Sequence, residues 1–580
     1  MSAPVSDEDL VSPFPWRPSR LLLERLVLAA LLLGLFALKL SHAAHEPDYG
    51  PDASYYHDIA AHVRDGDGLV TDVSLFNAGY TDFPHSTSVY PLWPLVLGLS
   101  ARVVPIDLAA TWLPTLFFFA GIILVYRLAR RLVPGPLFPE TWSVLHAGHL
   151  AALVYALTNA MFLNTTRPFT EGLAYLLLVI ALYRAEAMLR APKIWRGLEL
   201  GLWLGLVMLT RSQLVLAAMA VLCTLAWATL RLGWRRWLPP TLACLLGLAV
   251  PLGLQLAHLA SFADAPRLAY LLRFDLVRDP SDLAPMQVMV ETDGPLAWLA
   301  DRARGIPLAF GTGNFSYFHC FGVWSAALTL SVPFLLLDAW RALQRRSLGL
   351  GRWLHEPAHL FTLCFALLAI GGVLSLHTVH KAVFTPWNFG TRHALTAGFA
   401  IFAAILYLGR RPALGRLLAL FIVCAGTFFG FYRIDRKIRD TSHEHVTWTT
   451  AHNRPIVEWL QQRALAEPGL VVVGPDIEVQ KLARFTDGVG YHWLYHTTTW
   501  DDLNYLFRER GAKYLLLRND RVSKLKIGRD RRTFTRTFIA EASDLSGFTV
   551  FRRRRPGDPR GTWPSSTPTA STQADAADDN

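Results

Sequence analysis

Two kinds of residue in this sequence could do chemistry: carboxylates in a polar stretch near the N-terminus, and cations set against apolar runs. Asp52 stands in PDASYY, with Asp48 before it and Tyr56 after it. A carboxylate in that setting serves as a general base or as a metal ligand. It serves equally as an N-cap for a helix starting near Ala53. His57 and His62 follow, as metal ligands or as ordinary loop histidines. Arg167 and Glu171 are spaced as an ion pair across one helical turn, or as an Arg facing an anionic ligand with a Glu to orient it. Arg211 interrupts an apolar stretch, where a charge is costly unless it is paired or faces a cavity. His377, His380, Lys381, Arg392 and His393 put several cations on one corner. A phosphate is the natural ligand of such a corner, and headgroup snorkelling is the alternative.

The elements that must position these residues are mostly greasy. The chain has 580 residues, 52% hydrophobic and 17% charged, where a soluble protein carries about a quarter charged. Long apolar runs alternate with short basic clusters, the pattern of a multi-span helical membrane protein. The net charge of +11 therefore speaks for topology and headgroups rather than for nucleic acid. The basic residues of 1–20 place the N-terminus in the cytoplasm. Leu21–Leu40 reads as a retained signal anchor, with a first external loop over 41–107. Tyr90–Val104 is too short to span comfortably and is expected to lie at the interface. Further spans are expected at Leu108–Leu128, Leu145–Leu163, Gly172–Leu189, Leu242–Leu259, Phe318–Leu337, His359–Leu376, His393–Leu408 and Leu417–Phe431. Ala260–Asn314 is expected as a second long external segment. Leu198–Leu232 is read as a hairpin of two helices, because Arg196 before it and Arg235 and Arg236 after it belong on one side. That puts Arg211 near the outer surface. The count is about eleven spans.

The transmembrane part ends near 431. Residues 432–555 have ordinary soluble composition, with an amphipathic helix at Pro455–Leu465, buried strands at Leu470–Val473 and Tyr514–Leu517, and a helix at Asp501–Arg510. The expectation is a small external α/β domain, followed by a disordered tail over 556–580. The five cysteines lie in or beside apolar runs and form neither a disulfide framework nor a zinc spacing. No phosphate-binding glycine loop occurs in the strand–helix context that a nucleotide needs.

Several stretches resemble the integral-membrane GT-C glycosyltransferases, among them the aminoarabinose transferases and the protein O-mannosyltransferases. PDASYYHDIAAHVRDGDGL resembles the acidic first-loop motif, and YPLWPLVLGLSARVV the Pro-rich segment after it. TRPFTEGLAYLLLVIALY, GLWLGLVMLTRSQ and TRHALTAG are similar to three later helix motifs, and the soluble region to the external domains many members carry. The resemblance implies an α-helical polytopic membrane enzyme using a sugar carried on a polyprenyl phosphate. The acceptor is a lipid, a glycan or a protein, at the outer face of the cytoplasmic (inner) membrane. It implies inverting transfer with Asp52 as base, helped by Asp48, and Arg392, Lys381, Arg211 and Arg167 as holders of the donor phosphate. Glu171, His393 and Tyr56 are further site candidates. The family commonly places a second acid directly after the first; here that residue is Ala53, which leaves use of a divalent metal open. No nucleic-acid partner is expected. The rival readings are a flippase or transporter of lipid-linked saccharides, and a non-catalytic envelope assembly protein. Transporters tend to show internal repeat symmetry, and none is visible here.

Overall fold

The computed structural model describes residues 20–43, 51–74, 82–87, 90–133, 136–138, 142–211, 214–261, 321–344, 398–411, 414–444, 450–494, 498–519, 522, 525, 527 and 530–561, together with Cys364. Asp48, His377, His380, Lys381, Arg392 and His393 lie outside them. So do most of Ala260–Asn314, the span expected at His359–Leu376 apart from Cys364, and the tail after Gly561.

Helix α1 spans Arg20–Ala43 and α2 spans Pro51–Asp65. Two-residue strands follow, β1 (Val70–Thr71), β2 (Val73–Ser74) and β3 (His85–Ser86). Helix α3 covers Leu92–Ser100, inside the run expected at the interface, and α4 covers Ile106–Leu132. A hairpin of β4 (Pro136–Phe138) and β5 (Trp142–His146) leads into α5 (Ala147–Ala156) and α6 (Asn159–Asn164). Then come α7 (Glu171–Arg190), α8 (Ile194–Thr210), α9 (Val215–Arg231) and α10 (Trp234–Ala260). Further on are α11 (Ala326–Gln344), α12 (Gly398–Gly409) and α13 (Leu414–Glu444).

Four described helices are long and apolar enough to cross a membrane: Ile106–Leu132, Glu171–Arg190, Trp234–His258 and Leu414–Arg436. The run expected as one span at Leu145–Leu163 is instead broken. It starts in β5 and breaks again at Leu157–Thr158, where the Thr158 hydroxyl donates back to the Val154 carbonyl at 2.6 Å. A hydroxyl that bonds within its own turn competes with the helix ladder and favours a bend or an end.

The hairpin expected between 198 and 232 is present. Gly197 lies against Pro240, Gly201 against Cys244 and Gly205 against Pro251. The numbers rise together, so α8 and α10 are parallel, and α9 between them must run the other way. A Cβ on Gly197 or Gly201 would collide with a carbonyl oxygen of α10. Glycine lets the two backbones approach where lipid offers no hydrophobic drive for helices to associate.

The C-terminal region is an α/β layer structure of α14 (Thr450–Ala466), β6 (Leu470–Pro475), α15 (Asp476–Ala483), β7 (Val489–Leu494), α16 (Trp500–Glu509), β8 (Tyr514–Arg518), α17 (Arg531–Thr537), β9 (Phe538–Leu545) and β10 (Phe548–Arg553). Its sheet has the order β2-β7-β6-β8-β10-β9. Strands β2, β7, β6 and β8 are parallel, with β10 and β9 antiparallel at the far edge. Side chains alternate between the two faces of β6: Leu470 and Val472 pack with one cluster, Val471 and Val473 with another.

The first strand of that sheet comes from the first loop. Val73 pairs with Tyr491, and the Tyr491 amide donates to the Asp72 carbonyl at 2.8 Å. Helix α2 covers the same face, burying Tyr55 and Ile59 among Val472, Val479, Leu482 and Tyr491. Its other side puts Ala53 and Ala60 into the apolar cluster of the helix bundle. The first loop and the C-terminal domain, expected as separate units, share one sheet and one core.

A shared sheet requires both pieces on one side of the membrane, since strands cannot pair through hydrocarbon. Reporters active only outside the cytoplasm, fused after Ala43 and after Glu444 in separate proteins, are expected to give the same readout. Opposite readouts would be incompatible with the β2–β7 pairing.

Candidate active site

The first-loop end of the bundle can be identified from contacts. The Trp93 indole of α3, fully buried, donates to the Pro168 carbonyl at 2.7 Å and ties the loop to the corner between α6 and α7. His258 near the end of α10 lies 3.1 Å from the Thr87 carbonyl, and the Thr87 hydroxyl lies 2.9 Å from Tyr55 Oη. The opposite end is marked by Glu24 of α1. It pairs with Arg130 at 2.9 Å and His146 at 2.5 Å.

At the first-loop end sits a buried ion pair. Glu171 opens α7 and is fully buried; Arg211 closes α8 and is 7% exposed. Arg211 Nη1 donates to Glu171 Oε1 at 2.5 Å. The Asn164 amide and the Thr170 hydroxyl each stand 3.5 Å from a Glu171 oxygen. The pair forms because two antiparallel helices end at the same level. Glu171 is at the N-terminus of α7, where a carboxylate is favoured by the free N–H groups. Arg211 is where α8 ends with extended backbone. Arg167 does not share a helix with Glu171: it lies in the turn before α7, so helical spacing is not what relates them.

One turn further into α7, Tyr175 and then Val179 line an apolar cavity inside the bundle, with Val125 of α4, Val154 and Tyr155 of α5, and Phe402 of α12 around them. The Tyr155 hydroxyl at that wall is buried with no hydrogen-bond partner among the described residues. The ion pair thus stands above an apolar space walled by α4, α5, α6 and α12 besides α7.

Lys39 is a site residue that the sequence reading passed over. It is 1% exposed, near the first-loop end of α1. Its Nζ donates to the Phe162 carbonyl at 2.6 Å and to the Thr165 hydroxyl at 2.7 Å, and it lies 4.3 Å from the centroid of the Phe162 ring. A lone Lys late in an apolar run was the available signal, because such a charge persists only where carbonyls or rings receive it. It braces the same corner that carries Glu171.

Asp52 and Tyr56 lie on α2, Asp52 in its first turn directly after Pro51. Proline at the first helical position and an acid beside it are favourable choices for starting a helix. Its neighbour Ala53 is buried in the bundle cluster, so α2 starts at the level where the bundle ends. His57 and His62 are held by acids. His57 Nε2 lies 3.2 Å from Asp107 at the head of α4, and Arg484 of the C-terminal domain reaches the same carboxylate at 2.9 Å. Burial lowers the pKa of His57. His62 lies between two carboxylates, 3.0 Å from Asp67 and 3.3 Å from Asp72. Burial works against its charge, but hydrogen bonds to Asp72 and Asp67 outweigh it and push its pKa up to about 9.

No protein-family model matches the chain, and no curated protein matches it in sequence. Among solved structures it is similar to an Archaeoglobus fulgidus oligosaccharyltransferase crystallised with Zn and sulfate, at 14% identity over 90% of this chain and 73% of that one, TM-score 0.49. It is similar to AglB from the same organism in complex with an inhibitory peptide and a dolichol-phosphate, at 13% identity over 91% and 75%, TM-score 0.48. It is also similar to ArnT from Cupriavidus metallidurans in the apo state, at 12% identity over 90% and 97%, TM-score 0.45. At these identities the chain's own residues must carry its chemistry.

Removing one partner of a buried pair leaves an uncompensated charge and costs about 3–5 kcal/mol, whereas replacing both by apolar side chains is nearly neutral. Arg211→Met alone is therefore expected to lower thermal stability sharply, and Glu171→Leu with Arg211→Met to recover most of it. If the double variant regains stability but no activity, the pair serves the reaction and not only the fold.

Proposed function

We propose that this protein transfers a sugar from a polyprenyl-phosphate-linked donor to a lipid, glycan or protein acceptor at the outer face of the cytoplasmic membrane, with inversion. The observation that carries the reading is the Glu171–Arg211 pair, buried at the first-loop end of the bundle above the apolar cavity. A donor of this class has an isoprenoid chain that belongs in apolar surroundings and a phosphate that needs fixed cations at the membrane surface. The resemblance of PDASYYHDIAAHVRDGDGL and of the later helix motifs to GT-C enzymes points the same way.

In this reading Asp52 accepts the proton of the acceptor hydroxyl. The acceptor oxygen forms a bond to the anomeric carbon from the face opposite the phosphate. The bond from that carbon to the phosphate oxygen breaks, and its electrons leave with the polyprenyl phosphate. Charge grows on the phosphate as the bond breaks, so a guanidinium that meets it there lowers the barrier more than it strengthens ground-state binding. Arg392 takes that place, with Lys381 and Arg167 as partners on the same side. Arg211 contributes from below, its guanidinium fixed by Glu171. Asp48 assists Asp52. His393 and Tyr56 are further site candidates. The N-terminus is cytoplasmic and the C-terminal domain external.

The test is transfer from a defined polyprenyl-phosphate sugar by purified protein in detergent. Asp52→Asn keeps shape and removes the proton acceptor, and is expected to abolish turnover while leaving donor binding. Near-normal turnover in that variant would move the base to Asp48 or Glu171. Arg392→Lys is expected to be impaired and Arg392→Ala more so, by about 2–4 kcal/mol of transition-state stabilisation, on the scale of one lost oxyanion donor. Arg410→Ala, just past the C-terminal end of α12, is the control. Donor translocation without transfer by the wild type would favour the flippase reading.

A further inference from the structure

Asp58 and His62 sit one turn apart on α2, beside the Tyr55–Ile59 stripe and opposite Ala53 and Ala60. Asp72 comes up to them from the turn between β1 and β2. One ligand atom from each of the three lies within 4.8 Å of the other two. We propose that Asp58, His62 and Asp72 bind a single divalent transition-metal ion, which clamps the first loop against the C-terminal sheet.

Three features of the cluster point to a cation. Asp58 and Asp72 are 4% and 6% exposed, so two carboxylates are buried side by side with one imidazole between them. A protonated His62 gives these two buried carboxylates one positive charge; a divalent ion at their meeting point, taking the place of that proton, gives them two. The second feature is orientation. Asp58 Oδ2 accepts from the Thr71 hydroxyl at 2.6 Å and from the Asp72 amide at 3.1 Å, which fixes the plane of its carboxylate. The third is the outer partner of the imidazole. His62 directs Nε2 toward Asp72 and the cluster, while Nδ1 meets Asp67 Oδ2 at 3.0 Å. A carboxylate on the far nitrogen is what orients a metal-bound histidine and raises its basicity.

The donor set selects the ion. One imidazole with two carboxylates suits Zn2+ or Mn2+, while Mg2+ and Ca2+ favour oxygen-only shells. Zinc bonds of about 2.0–2.2 Å place two ligand atoms at most about 4.4 Å apart, so small side-chain rotations close the site. His62, at 16% side-chain exposure, is the side from which an ion enters. The site is built from residues apart from Asp52, Glu171 and Arg211, and its purpose follows from its place. Asp72 is bonded through its carbonyl to β7, so an ion held by Asp72 and α2 fastens the helix, the strand turn and the sheet together.

The experiment reads metal, not sugar transfer, so its failure leaves the transferase reading untouched. Full-length protein in detergent is stripped with a chelator, then loaded separately with Zn2+, Mn2+ and Co2+. The expected result is a single bound equivalent, a thermal midpoint raised by several degrees, and visible Co2+ absorption of a nitrogen–oxygen site. His62→Gln and Asp72→Asn should each bind at least tenfold more weakly and lose the metal-dependent rise. Asp67→Asn, which touches only the outer side of His62, should weaken binding by about 10–100-fold. Should either of the first two variants fail to fold, Co2+ absorption of the wild type and the affinity of Asp67→Asn decide. The proposal is overturned if loaded wild type holds no metal and shows no thermal rise, or if Asp67→Asn and Asp72→Asn bind as the wild type does.

Discussion

The rest of the structure depends on α2 being buried on two sides at once. Ala53 and Ala60 pack into the bundle, and Tyr55 and Ile59 into the core of the sheet domain. A helix in water buries one stripe; this one, fifteen residues long, serves two cores and carries Asp58 and His62 at the edge of the sheet-facing stripe. The sheet domain therefore does not hang from the membrane by a linker. It is seated on the bundle through a helix that belongs to both. Tyr55 reaches Thr87, Thr87 reaches His258, and Asp107 receives His57 and Arg484. These contacts join α2, α4, α10 and α15 around one level, the level at which the candidate chemistry lies.

Charges in the bundle mark its two ends differently. At the end away from the first loop, Glu24 receives Arg130 and His146, and Glu186 receives Arg131 and Arg190. These pairs carry partly exposed arginines and close the ends of helices. At the first-loop end, Glu171 and Arg211 are both buried, and Lys39 is received by a carbonyl, a hydroxyl and two rings. Burying ions is expensive in any protein and more so near hydrocarbon, and such residues usually face a cavity or a pathway. The apolar cavity beneath Glu171 and Tyr175 fits that rule.

Much of this architecture can be read from the one-dimensional pattern. Apolar runs bounded by arginines determine which segments are helices in lipid and which ends lie together, because hydropathy and charge act locally. The α8–α9 hairpin followed from arginines at both of its ends. The buried strands β6 and β8 followed from short β-branched and leucine runs. The cost of Arg211 in an apolar run marked it as a residue needing a partner. Local pattern fails where a polar atom inside an apolar run redirects the backbone, as Thr158 does, and the single span expected there is two helices.

Partnership was decided only by tertiary structure. The four-residue spacing pointed to Arg167 for Glu171, and nothing local pointed to Arg211; the antiparallel packing of α7 and α8 brings Arg211 there. Nothing local says that Val73 pairs with Tyr491, residues at opposite ends of the chain, since strand pairing depends on edges and not on distance along the sequence. The same holds for Asp72, an undistinguished loop acid until the turn after β1 carries it to Asp58 and His62. The sequence by itself determined which residues are charged, apolar or helical. Which charges meet was set by how the first loop folds back between bundle and sheet, because contacts at long range depend on the whole packing and not on any segment.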